Sequence, residues 1–145
     1  MFEGGEGEVS AGVQGGVMRG DDVREKLERI MEKDVRYETE AYRFVSEALD
    51  FTIRSLQREN YEDEEKRHVS GGELLDGIRE YGLKKFGPMT RAVLDHWGIN
   101  SCDDFGEIVF NLVGEGILRK TQSDSREDFK EGYNFHEAFE KPFEV

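Results

Sequence analysis

The chain reads as mainly α: a helical domain with a winged-helix-like second half, in which three helices are followed by a β-hairpin. Three observations predict this. Apolar residues recur at three- and four-residue steps through most of residues 21–118. Helix start and stop signals punctuate that pattern, with Ser-x-x-Glu or Ser-x-x-Asp before the runs and Gly after them. A polar Gln-Ser-Asp-Ser turn at 122–125 is followed by aromatics at even spacing, Phe129, Tyr133 and Phe135.

In order along the chain, residues 1–20 hold seven of the 17 glycines and only isolated apolar residues, which predicts a disordered, acidic tail. Met18 offers a second translation start within it. Residues 21–145 are expected to form one domain. Asp21 and Asp22 precede Val23, Leu27, Ile30 and Met31, the face of a short helix from about 22 to 33 that breaks around Asp34. Residues 37–58 carry the longest periodic stripe: Ala41, Phe44, Val45, Ala48, Leu49, Thr52, Ile53 and Leu56. Tyr37, Tyr42 and Phe51 widen that stripe, so this helix is expected between two neighbours. Residues 59–67 are polar, with four consecutive acids from Glu62 to Glu65, and read as an acidic linker.

Residues 68–145 form the winged-helix-like part. Ser70 and Glu73 make a capping box for a helix to about residue 86. Gly77 and Gly82 inside it cost stability unless another helix approaches closely. Gly87 stops it, and Pro88 suits the first turn of the next helix, which runs to Gly98. Ser101 and Asp104 cap a third helix, which ends at Gly114 or Gly116. The hairpin is expected over 119–135; Ser125 with Asp128 offers a helical cap as its alternative, and Asn134 with Glu137 a cap for a last turn before Pro142.

Composition narrows function. Of 145 residues, 20 are basic and 33 acidic, for a net charge of −13. Such a surface repels phosphate backbones and anionic membranes within a Debye length of about 8–10 Å. The third helix, which would enter the major groove of a DNA-binding winged helix, carries acids and no Lys or Arg between 101 and 118. DNA is therefore not the expected partner. A single cysteine excludes an intrachain disulfide. No apolar run reaches the ~18 residues of a membrane span. The cytoplasm is the expected location.

No enzyme signature is complete. His68, His96 and His136 share no ligand spacing, and Cys102 alone does not make a zinc site. Asp104-Phe105-Gly106 matches the kinase magnesium motif by letters only, without a phosphate loop or catalytic loop. Gly71-Gly72-Glu73 matches part of a cyclase signature, but here it opens a helix. No catalytic, cofactor or metal-binding residues are assigned.

The expected function is non-enzymatic: a small acidic protein-interaction or regulatory module, with Tyr42, Phe51 and Trp97 as its interaction residues and a homodimer through the wide face of helix 37–58 as one form. An alternative is an RNA- or ribosome-associated factor using Arg43, Arg54, Arg58, Lys84, Lys85 and Arg91, which requires those cations to converge. A third is a small enzyme built on His96, Cys102 or a carboxylate, which requires a pocket where they meet.

The strings YRFVSEALDF (42–51), HVSGGELLDGIREYGLKKFGP (68–88), VLDHWGI (93–99), DFGEIVFNLVGEGIL (104–118) and DSREDFKEGYNFHEAF (124–139) resemble a family of small uncharacterised bacterial proteins. The resemblance covers residues 34–139. It implies one bacterial cytosolic domain and carries over no activity and no catalytic residues.

Overall fold

In the computed structural model, which describes residues 20–57, 68–118, 129–130 and 132–144, helix α1 spans Gly20–Lys33 and α2 spans Thr39–Ser55. Helix α3 spans Gly71–Phe86, and a 3-10 turn at Gly87–Met89 leads into α4, Thr90–His96. Helix α5 spans Cys102–Gly114. A π-helical turn, His136–Glu140, and a 3-10 turn, Lys141–Phe143, close the chain.

The pattern of α2 explains its position. Nine of its residues are buried, from Ala41 to Ile53, on too broad an arc for one neighbour, and it packs on both α3 and α5. Each fully buried aliphatic side chain there stabilises the fold by roughly 1.5–3 kcal/mol. The α2–α3 crossing is close because Gly77 faces Thr52: a Cβ at 77 would overlap Thr52 Oγ1. Gly82 likewise leaves room for Thr90 and Phe44. Thr52 turns its hydroxyl back to the Ala48 carbonyl, 2.7 Å away, so no polar group is stranded at the crossing. Ser46, by contrast, is buried with no hydrogen-bond partner for its hydroxyl among the described residues.

Start and stop signals act as their chemistry requires. The Ser70 hydroxyl accepts from the Glu73 amide at 3.1 Å, and the Glu73 carboxylate accepts from the Ser70 amide at 3.1 Å. The Asp104 carboxylate accepts from the Asn100 and Ser101 amides at 2.8 and 3.2 Å at the start of α5. Gly98, with φ +90°, ends the α4 region and passes so close to the Arg36 carbonyl that a Cβ would overlap it.

The hairpin expectation is overturned. Among the described residues there is no strand, and the winged-helix-like second half is instead three helices followed by an aromatic strap. The 122–125 turn and the Ser125–Asp128 cap lie outside the described residues, as do most of the expected tail (1–19) and the 59–67 linker. Evenly spaced aromatics satisfy a strand only when a second strand takes up their backbone groups. Here the rings pack on helices instead. Phe129 packs on Gly106 of α5 and edge-on to Phe110. The Tyr133 hydroxyl donates to the Leu75 carbonyl at 2.8 Å. Phe135 packs tilted on Phe105 and edge-on to Phe139, with centroids 5.7 and 5.0 Å away. The Asn134 side chain accepts from the Glu137 amide at 3.1 Å, capping the final turn.

A polar clamp fastens the α1–α2 connection to α5. Asp34 accepts from the Arg36 guanidinium at 2.7 and 2.8 Å and from the Asn111 amide at 3.0 Å. Asn111 also donates to the Tyr42 hydroxyl at 3.0 Å, and the Tyr37 hydroxyl donates to Asp104 at 2.5 Å. The Arg36 guanidinium, helped by Asn111, holds the Asp34 carboxyl well below the usual carboxylate range. Burial, reinforced by Asp104, pushes the Tyr37 phenol up.

Three outcomes follow from this packing. Gly77→Ala gains about 1 kcal/mol of helix propensity, yet the overlap with Thr52 should produce a net loss of roughly 1–3 kcal/mol. Denaturant unfolding of Gly77→Ala alone and with Thr52→Ala should show positive coupling, the second change recovering part of the loss. Ser46→Ala should raise stability by about 1 kcal/mol, because it removes an unsatisfied buried hydroxyl. The folded Asp34 pKa lies below its unfolded value of about 3.9. Its contribution is therefore complete above that value and is lost as pH falls through the acid range towards the folded pKa. Unfolding free energy measured from pH 6 to pH 2 should fall more steeply in the native chain than in Asp34→Asn.

Candidate functional site

A row of aromatic rings runs across α2, α3 and the end of α4. Phe51 and Phe44 lie seven residues apart on α2, two helical turns, so they share a face. Both reach Tyr81 of α3, at centroid distances of 5.4 and 5.5 Å. Phe44 also meets Phe86 at 5.9 Å and Trp97 at 5.5 Å, and Phe86 meets Trp97 at 5.9 Å. Phe44 is buried and anchors the row, whereas Phe51, Tyr81, Phe86 and Trp97 are only half-buried. Met89, in the turn after α3, is 60% exposed, and Leu56, at the end of α2, is 39% exposed.

Two lysines border the row. The Lys84 ammonium lies 5.8 Å from the Phe51 ring centre. That of Lys85 lies 5.5 Å from Tyr81 and 5.9 Å from Phe86. Glu47 joins them: its carboxylate accepts from the Tyr81 hydroxyl at 2.8 Å and pairs with Lys85 at 3.3 Å. Burial and the Glu47 carboxylate raise the Tyr81 pKa.

Of the three aromatic candidates from the sequence, Phe51 and Trp97 therefore fall on one surface. Tyr42 does not: it is 1% exposed, turned towards Asn111 and edge-on to Tyr37. The wide face of α2 is occupied by α5 and α3 of the same chain, and Phe51 lies half-buried at its edge. Phe44, Tyr81, Phe86 and Met89 were missed as site residues. The available signal was the clustering of Tyr81 and Phe86 around Lys84-Lys85 at the end of α3.

Three of the five cations that the structure describes are held by carboxylates of the same chain: Lys85 by Glu47, and Arg54 and Arg91 as follows. Arg54 pairs with Asp50 at 3.7 Å. Arg91 lies near Asp95 at 3.5 Å and Glu140 at 3.7 Å, and its guanidinium covers Phe135 of the terminal segment, away from the aromatic row. Arg43 is exposed, and Arg58 lies outside the described residues. On α5, the acids Asp104 and Glu107 face Tyr37 and Arg36.

The groups of the enzyme reading are not gathered. His96 is exposed on α4. Cys102 is buried against Gly132 and donates to the Tyr133 carbonyl at 3.6 Å, and burial pushes its thiol up to about 11. A thiol so shifted is a poor nucleophile at neutral pH. His136 sits between Glu140 and Glu144, at 2.7 and 3.3 Å. Among the described residues no His, Cys, Asp and Glu group is placed to hold a metal, and no helix is long and apolar enough to cross a membrane.

Comparison with protein-family models, with curated proteins and with solved structures finds no match to this chain.

Proposed function

We propose that the protein is a non-catalytic interaction module that engages a protein partner through the aromatic row of α2, α3 and α4. The observation that carries this reading is the set of half-exposed rings Phe51, Tyr81, Phe86 and Trp97, joined through buried Phe44, on a chain that also exposes Met89 after α3 and Leu56 at the end of α2. Isolated exposed apolar residues are ordinary, but a row of packed aromatic edges is the composition of an interface centre. Rings already packed on each other lose little conformational freedom on binding, which favours them as anchors. A bacterial cytosolic setting, as the sequence resemblance implies, is compatible with this role.

The RNA reading is disfavoured by the pairing of Arg54, Lys85 and Arg91 with carboxylates of the same chain. Phosphate binding gains most from cations free to release counterions.

The test is recovery of partners by the tagged native chain and by a Leu56→Asp/Met89→Asp double variant, with and without nuclease. Both positions are exposed, so the variant should keep its helical circular dichroism. Loss of a nuclease-resistant partner by about tenfold or more corresponds to ~1.4 kcal/mol and is the expected result. Partners that vanish with nuclease, or that bind the double variant as well as the native chain, would overturn the reading.

A further inference from the structure

We draw no further inference here: the strongest candidate, the half-exposed aromatic surface of Phe51, Tyr81, Phe86 and Trp97 across α2, α3 and the end of α4, belongs to the site already described, and nothing in the structure shows what covers it.

Discussion

The close crossing of α2 over α3 is the constraint on which the remaining packing depends. Helix α2 is buried on two sides, so its neighbours must both reach it without leaving voids. On the α3 side this is possible only because Gly77 presents no side chain to Thr52. The helix cost of that glycine is offset by the contacts the approach creates, among them Leu74 and Ile78 against the α2 core. Thr52 fits for a related reason. Its hydroxyl is satisfied within its own helix, so a polar side chain sits in the tightest part of the core without penalty.

The α5 side of α2 is held differently. Apolar burial supplies the attraction, and the Asp34–Arg36–Asn111 group with the Tyr37–Asp104 bond supplies the register. Each buried polar atom in this clamp finds a partner of fixed geometry, so sliding α5 by one turn would strand several at once. The same clamp places the Arg36 carbonyl beneath Gly98, which ties the end of α4 to the α1–α2 connection. The strap of Phe129, Tyr133, Phe135 and Phe139 then covers the α3–α5 face and completes the core.

The open aromatic row is a consequence of this arrangement. Helix α4 has seven residues, enough to bring Trp97 onto Phe44 and Phe86 but too short to roof them. The strap is spent on the opposite side, where Arg91 covers Phe135. What remains over Phe51, Tyr81 and Phe86 is a thin cover of two lysine side chains, whose stems shield apolar surface while their charges stay in water. A core packed outward from α2 thus ends in a half-exposed aromatic edge.

How much of this was legible follows from the range of each interaction. Helices α1 to α5 were legible because periodicity, capping residues and glycine stops act within a few residues; Ser70 with Glu73 and Gly98 are examples. The burial of Gly77 and Gly82 against neighbours was legible as well, since a glycine inside a helix requires compensation. The fate of residues 129–135 was not. Even spacing of Phe129, Tyr133 and Phe135 fits a strand as well as a strap, and only the presence of Gly106, Leu75 and Phe105 at the right places decides between them. The site divided in the same way. Aromatic content marked Tyr42, Phe51 and Trp97 equally, but Tyr42 was drawn inward by Asn111, sixty-nine residues away in sequence. By itself, the sequence determined the helices, their ends and an acidic surface, because those depend on neighbours along the chain. The tertiary structure alone decided which aromatics stay exposed and which cations find a carboxylate, because those depend on contacts between residues that only folding brings together.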